Sequence, residues 1–407
     1  MVDSSGKHTS SEEMDQLQAW KFLISDEGSA LVEAASDCPA GDVAAMARLR
    51  KSWDLSSVTA AMELAEARRR AGSRFENAHE LIADRAGLEQ ATGTTIARYK
   101  AKRIHDAGVT AITDLCCGIG GDSMELARSM GVVAIDLDPL KSWMTEQNAQ
   151  CETRTADVLK TPLPQGPVHI DPARRDAAGT RRHAPSQWTP SATDLHSIMQ
   201  HHPDACIKMG PGIDLQQLPI KAAGDEVEFI SVDGQLSQAV LWKGLFVTES
   251  HRATCCVNGL AHTISSDELA PASFAETNWN GQWLHVPDPA LERSQLLGLM
   301  CDRWSLAEPA AGLGLLVGSQ HAQTPWLKAY EVVDKLPWRI ERIKQWLHEH
   351  DAGIVEVRTR GGAIQDVDQL RSTFRGKGQT AWTIFGLRLG QARIAVLTRP
   401  PARRPAS

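Results

Sequence analysis

The stretch ITDLCCGIGGDSMELA, residues 112–127, constrains the fold more than any other part of the chain. Its β-branched start predicts a strand, the GIGG run at 118–121 predicts a tight turn, and the residues from Ser123 onward predict a helix. A strand that leads through glycines into a helix brings backbone N–H groups close to a ligand. The sequence therefore predicts a ligand-binding α/β domain built around this turn.

The spacing of the glycines excludes two phosphate-binding motifs. A dinucleotide fingerprint requires G-x-G-x-x-G, and Ser123 stands where the third glycine should be. A P-loop requires Gly-Lys-Ser/Thr, which does not follow this turn. A ligand without a pyrophosphate group is therefore favoured.

Acidic residues recur at the ends of the predicted strands. Glycines at 118 and 120 let the backbone approach an amino-acid group, and Asp114 can orient the turn and attract positive charge. Asp136 can accept both hydroxyls of a ribose, and Asp157 can accept an adenine N–H. Together these features predict S-adenosylmethionine as the ligand. An ordinary turn with a helix-capping aspartate would explain only one of the acids.

The hydrophobic pattern divides the chain into three parts. The segment SSVTAAMELAEARRR has apolar residues at helical spacing, with Ser56 or Ser57 as the N-cap, so residues 1–107 are predicted to form a helical domain. Residues 108–258 alternate short β-branched runs with helical or polar segments, which predicts βα units around a mainly parallel sheet. The last two runs, AVLWKG and TCCVNG, are predicted to form an antiparallel edge.

The C-terminal part is predicted to be a separate α+β domain at 283–407, after a linker at 259–282. Charge distinguishes it from the rest of the chain. The net charge is -7, but residues 335–407 carry +8 and residues 1–334 carry -15. A basic module on an acidic body is typical of polyanion binding, although a solvated basic surface with no partner gives the same count. Arg358 and Arg360 in the RTRGG stretch are candidate phosphate contacts, as are the cations of FRGKG.

Several protein classes are disfavoured by composition. No stretch approaches the roughly 18 uninterrupted apolar residues of a membrane span, and the N-terminus is polar, so we expect a cytoplasmic protein. The eight cysteines include no C-x-x-C pair, so neither a disulfide framework nor a zinc ribbon is predicted. We expect no bound metal.

Two motifs carry a resemblance to a known family. DLCCGIGGDSMELA and VVAIDLDPLKSWMTEQNA resemble the first two motifs of class I methyltransferases, and are particularly similar to those of the trimethylguanosine synthase group. Four further segments, RAGLEQATGTTIARYKAKRI, VHIDPARR, IKMGPGI and WLHVPDPAL, resemble a bacterial family of class I methyltransferases with a THUMP-like C-terminal domain. The resemblance spans residues 55–400, and it implies a Rossmann-like sheet with an N-terminal helical domain and a C-terminal THUMP-like domain.

The resemblance also implies roles for individual residues. It makes Gly118, Gly120, Asp136 and Asp157 cofactor contacts, with Asp114 shaping the pocket. It places Asp171 at the end of the fourth strand, near the methyl acceptor, and it implies RNA, transfer RNA in particular, as the substrate.

The acceptor motif departs from the pattern of base N-methyltransferases. Those enzymes present Asp/Asn-Pro-Pro-aromatic, whereas this chain has Asp171-Pro172-Ala173-Arg174. We predict that Asp171 orients the acceptor and that Arg174 stacks on a base or holds a phosphate. Arg175 and Arg181, with Arg182, would continue a phosphate track, unless the arginines are only a solvated loop.

Two function classes remain from the sequence. The first is an S-adenosylmethionine-dependent RNA methyltransferase acting on a base nitrogen, with methylation of a protein or small molecule as a lesser enzymatic alternative. The second is a non-catalytic RNA-binding or assembly protein on a methyltransferase fold. Uracil C5 chemistry is disfavoured, because Cys206 begins the next predicted strand and no suitable nucleophile follows it. Cys116 and Cys117 are interpreted as packing residues of the turn.

Overall fold

The computed structural model describes residues 6–39, 41–173, 185–272, 282–363 and 366–401. The chain forms two compact units. The first comprises residues 1–225 and 239–248, and the second comprises residues 226–238 and 249–407.

In the described residues before the first strand the chain forms six helices, which agrees with the helical N-terminal part that the apolar periodicity predicted. They are α1 (Gly6–Phe22), α2 (Asp26–Ser36), α3 (Val43–Leu49), α4 (Leu55–Ala71), α5 (Arg85–Gln90) and α6 (Thr94–Asp106). In α4, Val58 and Ala61 are fully buried and face the helical core. The N-cap of α4 is Asp54, which accepts a hydrogen bond from the Ser57 amide at 3.0 Å, so the prediction of Ser56 or Ser57 was wrong. A carboxylate three residues before that amide satisfies it better than a hydroxyl inside the first turn could.

Between residues 107 and 272, the described part of the chain forms nine strands and three helices. The strands are β1 (Ala111–Leu115), β2 (Gly131–Asp136), β3 (Glu152–Thr155), β4 (Val168–Ile170), β5 (Ala205–Met209), β6 (Glu226–Val232), β7 (Gln235–Trp242), β8 (His251–Val257) and β9 (Leu260–Ser266). The helices are α7 (Ser123–Leu126), α8 (Pro139–Ala149) and α9 (Ala192–His201).

The sheet of the first unit runs in the order β3-β2-β1-β4-β5-β7. Strands β1 to β5 are parallel, and β7 is antiparallel to β5. The predicted parallel sheet is therefore confirmed. The expected pairing of AVLWKG with TCCVNG is not present: the first run lies in β7 and pairs with β5, whereas the second lies in β8 and pairs with β6 and β9. The two runs are not neighbours, because β6 lies between β7 and β8 in the strand order.

Within the described residues, the second unit contains β6, β8 and β9, a separate six-stranded sheet and four helices. Its elements after β9 are β10 (Trp283–Pro287), α10 (Pro289–Arg293), α11 (Leu297–Trp304), β11 (Leu316–Gly318), β12 (Leu327–Pro337), α12 (Ile340–Glu349), β13 (Ala352–Arg360), α13 (Val367–Phe374), β14 (Thr380–Leu389) and β15 (Ala392–Thr398). The strand order is β11-β10-β12-β15-β14-β13, with only β13 and β14 parallel. The segment 259–282, predicted to be a linker, instead contains strand β9, which pairs with β8.

Candidate functional site

The order of the strands indicates a site at the carboxyl ends of the central strands of the first unit's sheet. Strand β2 follows β1 in the chain and pairs with one side of it, while β4 pairs with the other side. Ligands of open parallel sheets bind outside the carboxyl ends of the strands, where the strand order reverses in this way. The glycine turn follows β1 at this edge, and Asp136 and Asp171 lie at the ends of β2 and β4.

The glycine turn, residues 116–122, connects β1 to α7. Gly118 and Gly120 have φ angles of 60° and 83°, in the region that glycine adopts at little cost. A Cβ at Gly120 would lie 3.1 Å from the Thr145 side chain. The Gly118 amide donates to Asp136 Oδ2 at 2.8 Å, and Thr145 Oγ1 donates to the Gly118 carbonyl at 2.8 Å. Strand β2 and helix α8 therefore fix the shape of the turn.

Asp136 ends β2 and faces the turn. Its second oxygen, Oδ1, accepts the Asp138 amide at 3.0 Å. Burial raises the pKa of Asp136, and the two amide donors, at Asp138 and Gly118, oppose that rise. Each carboxylate oxygen has a further lone pair, so the group can still accept hydroxyl donors from a ligand.

Asp157 lies two residues after the end of β3. Its Oδ1 accepts the Leu159 amide at 3.0 Å, and its Oδ2 forms an ion pair with Lys160 at 2.8 Å. Hydrogen bonds from Lys160 and from the Leu159 amide lower the pKa of Asp157. The structure thus keeps this carboxylate ionised at a strand end, beside a lysine that is itself largely exposed.

Asp114 lies within β1 and is 1% exposed. Ser123 Oγ donates to its Oδ2, and His169 Nδ1 lies 2.7 Å from its Oδ1. The carboxylate therefore joins β1 to the start of α7 and to β4. This arrangement agrees with a role in shaping the pocket, because both oxygens are engaged by the chain itself.

A buried ion pair continues this network. Lys100 Nζ, on α6, lies 2.6 Å from Asp122 Oδ1 and 3.0 Å from His169 Nε2. Burial alone would lower the pKa of Lys100, but the attraction and hydrogen bond of Asp122, together with the attraction of Cys206 and Asp171, outweigh it and raise that pKa. Burial would likewise raise the pKa of Asp122, but Lys100 and His169 hold it well below its usual value. Both groups are therefore charged. Thr92 Oγ1 also donates a hydrogen bond to Asp122 Oδ2 at 2.7 Å.

Asp171, which directly follows β4, also has a buried partner. Lys208 Nζ, on β5, lies 2.6 Å from Asp171 Oδ2 and donates to the Gln90 carbonyl at 3.0 Å. The Lys208 side chain is 6% exposed, whereas the Asp171 side chain is 24% exposed. Within the described part of the chain, no hydrogen bond reaches Asp171 Oδ1. Lys208 thus joins Asp171 to the segment that leads from α5 into α6.

The segment from Ile82 to Thr92, which includes α5, packs directly on the glycine turn. A Cβ at Gly87 would lie 2.3 Å from the Ile119 side chain, and one at Gly121 would lie 2.8 Å from the Thr92 carbonyl. Asn148 Nδ2 donates to the carbonyls of Ile82 and Ile119, each at 2.8 Å. The helical N-terminal part of the first unit therefore covers the turn, and the glycines permit that close approach.

Three residues of this network were not identified as functional from the sequence: Lys100, His169 and Lys208. Each lies inside a segment that carries the family resemblance; His169 and Lys208 have apolar neighbours on both sides, whereas Lys100 lies in the basic stretch RYKAKR. Residues of these types are seldom buried unless they are paired. A lone lysine within the apolar strand ACIKM was the signal that could have identified Lys208.

Of the predicted substrate contacts, Arg174, Arg175 and Arg181, together with Arg182, lie outside the described residues. In the second unit, Arg358 donates to Glu356 Oε1 at 3.0 Å, and its guanidinium lies 5.5 Å from the Tyr330 ring centroid. Arg360 is exposed and donates to the adjacent Thr359 carbonyl at 3.2 Å. Glu356 therefore offsets part of the charge of Arg358, while Arg360 faces solvent.

The thiols of the turn are poorly suited to covalent catalysis. Burial raises the pKa values of Cys116 and Cys117 well above the usual range, and neighbouring carboxylates add to the effect. This supports their interpretation as packing residues, because the reactive form of cysteine is the thiolate. Among the described residues, no group of three or more His, Cys, Asp or Glu side chains could hold a metal ion. No helix in the same ranges is long and apolar enough to cross a membrane.

The sheet order, the glycine turn and the acids at the strand ends define a class I methyltransferase fold. A candidate methyltransferase from Porphyromonas gingivalis W83 shares this fold, with a TM-score of 0.69 over 91% of this chain and 97% of that chain, at 16% sequence identity. The predicted α/β fold class is thereby confirmed.

Two proteins of similar sequence and two family models also match this chain. Two Mycobacterium tuberculosis proteins, from strains CDC 1551 and H37Rv, are each described as an uncharacterized S-adenosylmethionine-dependent methyltransferase. Each is 29% identical over 325 residues, which cover 78% of this chain and 87% of the relative. Residues 327–400 match the THUMP domain-like family, and residues 15–71 match a domain of unknown function. The chain is thus a homologue of S-adenosylmethionine-dependent methyltransferases with a THUMP-like segment; the closer likeness to the trimethylguanosine synthase group stays a prediction.

Proposed function

We propose that the protein transfers the methyl group of S-adenosylmethionine to RNA, with a base nitrogen of transfer RNA as the acceptor. The methyltransferase class follows from the fold and from the relatives. The observation that carries the cofactor assignment is the glycine turn hydrogen-bonded to Asp136, with ionised Asp157 at the next strand end. A cationic ligand with a ribose fits this set of acidic acceptors better than a pyrophosphate would.

The residues of the first unit suit the cofactor's separate parts. The Gly118–Gly121 backbone would hold the methionine end, Asp136 the ribose hydroxyls and Asp157 the adenine amine. When bound, S-adenosylmethionine supplies an activated methyl group on a sulfonium. Asp114 in β1 and Asp122 at the end of the turn would shape the site rather than bind the ligand, because their oxygens are engaged by the side chains of Ser123, His169 and Lys100.

Asp171 would orient the methyl acceptor. Methyl transfer is an in-line displacement, so the protein's task is to place a nucleophile roughly 3 Å from the methyl carbon and to exclude water. The salt bridge to Lys208 engages Asp171 Oδ2 and leaves Oδ1 to accept an N–H of the acceptor. Arg174 and Arg175 would hold the RNA beside it.

The RNA assignment is supported by charge. The THUMP-like segment at 327–400 lies in the part of the chain whose net charge is +8 from residue 335 onward. Its exposed cations, Arg360 among them, are suited to phosphate groups.

Transfer of labelled methyl from S-adenosylmethionine to total RNA of cells that lack the protein tests the proposal. We expect incorporation with the wild type and loss of about 100-fold or more with Asp171→Ala, because the acceptor is no longer positioned. Mass spectrometry of the digested RNA then identifies the modified nucleoside. No incorporation, with cofactor binding intact by calorimetry, would contradict an RNA acceptor and favour a protein or small-molecule acceptor, or a binding-only protein.

A further inference from the structure

A cleft of about 380 Å³ opens in the THUMP-like segment of the second unit. It lies where β13 and β14 begin, between α12, α13 and the loop at residues 375–378. Its lining comprises Lys344, Leu347, His348, Asp351, Ala352, Thr373, Phe374, Arg375, Gly376, Lys377 and Gly378. The volume lies at the lower end of the range typical of ligand sites, which begins at about 300 Å³.

The loop at residues 375–378 is held against the start of β13 by backbone hydrogen bonds. The Gly376 amide donates to the Gly353 carbonyl at 2.9 Å, and the Gly378 amide donates to the Ala352 carbonyl at 2.9 Å. A Cβ at Gly376 would lie 2.0 Å from the Ala352 carbonyl oxygen. Only glycine permits this approach, so the backbone positions of Arg375 and Lys377, on either side of Gly376, are fixed.

Two of the three cations in the lining of the cleft have no ionic partner in the described part of the chain. Arg375 and Lys377 are exposed, and within the described ranges neither side chain forms an ion pair. The third cation, Lys344, forms an ion pair with Glu341 at 3.6 Å. The one acid of the lining, Asp351, directs Oδ2 to the Gln379 amide at 3.1 Å. Three cations and a histidine therefore surround a floor formed by buried Leu347, Ala352 and Phe374.

We infer that this cleft is the site at which the second unit binds phosphate groups of the RNA, with Arg375 and Lys377 as the principal contacts. The inference rests on the proposed function, because it names where the RNA acceptor is held. Arg375 and Lys377 are suited to phosphates, since neither has to break an ion pair before it forms a charge-assisted hydrogen bond. The site differs from the arginines predicted at the other end of β13, where Glu356 partly neutralises Arg358.

A pair of double variants of the full chain tests the assignment. Arg375→Gln/Lys377→Gln removes the cleft cations, and Arg388→Gln/Arg393→Gln removes two exposed arginines that face each other across β14 and β15. Both variants lose the same charge from the same unit. Arg388 lies eight residues beyond the start of β14, a distance of roughly 26 Å along an extended strand.

Binding of fluorescein-labelled, unfractionated transfer RNA is measured by anisotropy at several salt concentrations. We expect the cleft variant to bind about ten-fold or more weakly and its salt slope to fall by about 1 to 2, with little change in the control variant. Equal weakening in both variants, or weakening in the control alone, would overturn the cleft while leaving RNA binding in place. Absence of binding by the wild type would overturn the RNA assignment itself, and the cleft with it.

Discussion

Asp171 is the residue whose surroundings most restrict the chemistry. A buried lysine holds one of its oxygens at 2.6 Å, and the same lysine donates to the Gln90 carbonyl. A carboxylate in a salt bridge is a good hydrogen-bond acceptor and is held in one orientation. We therefore assign Lys208 as a positioning residue, which aims Asp171 at the acceptor rather than contacting the acceptor.

The variant Lys208→Met should reduce kcat by about 100-fold, because a misplacement of about 1 Å at a reacting group has an effect of that size. Its affinity for S-adenosylmethionine should change little, since Asp136 and the glycine turn are not altered. Methyl transfer to RNA gives kcat, and calorimetry gives the cofactor Kd.

The chain offers a matched control for Lys208. Lys243 also forms an ion pair with a carboxylate, that of Asp225, and also donates to a backbone carbonyl, that of Ile220 at 3.2 Å. Loss of either lysine leaves a mostly buried acid unpaired, so both variants should lower stability by about 2 to 4 kcal/mol. Similar kcat losses in Lys208→Met and Lys243→Met would show that Lys208 acts only through stability.

Residue-level prediction from the sequence succeeded where a side chain is tied to a backbone motif. The strand-end positions of Asp136 and Asp157 follow from the alternation of strands and turns, and the positive φ of Gly118 follows from the turn. Lys100, His169 and Lys208 are brought together from α6, β4 and β5, which are distant in sequence. Local periodicity contains no information on such contacts, and so the network could not be predicted from the sequence.

At the scale of elements, α5 and the glycine turn act as one packed unit. Helix α5 is short, and its N-cap Asp84 accepts the Gly87 amide at 2.9 Å, so the helix start is fixed where it contacts Ile119. Lys141 on α8 forms an ion pair with the same aspartate at 2.5 Å. The conformation of the turn is therefore determined by elements on both sides of it in the chain.

The variant Gly87→Ala should disturb this contact. The added Cβ would lie 2.3 Å from the Ile119 side chain, so we expect a loss of stability of about 1 to 3 kcal/mol from overpacking. Cofactor affinity should fall as well, because Ile119 lies between two glycines of the turn. Thermal unfolding and calorimetry with S-adenosylmethionine give the two quantities.

Gly131→Ala provides the control for that variant. Gly131 begins β2, away from the carboxyl ends of the strands, and its nearest Cβ contact would be an ordinary 3.7 Å. We expect normal cofactor affinity and unchanged or slightly higher stability. Normal affinity in Gly87→Ala would show that α5 is not required for the shape of the turn.

At the scale of the whole molecule, two parts of the chain carry opposite net charge, -15 over residues 1–334 and +8 over residues 335–407. The acidic part contains the proposed cofactor residues, and the basic part contains most of the THUMP-like segment. An acidic surface repels RNA in general, so we expect any affinity for RNA to come from a limited number of contacts in the basic part. In the proposed cofactor site Asp136 is largely buried, and salt screens buried groups less than exposed ones.

The two ligands should therefore respond differently to salt. Each phosphate contact contributes about -0.7 to -0.9 to the slope of log K against log salt, so four contacts would weaken RNA binding on the order of 100-fold between about 50 and 200 mM. The affinity for S-adenosylmethionine should change far less over the same range. Anisotropy with unfractionated transfer RNA and calorimetry with the cofactor give the two dependences. An RNA affinity that does not change with salt would mean that the basic part of the chain does not bind the RNA backbone, whereas a steep slope for both ligands would place exposed charges in the cofactor site.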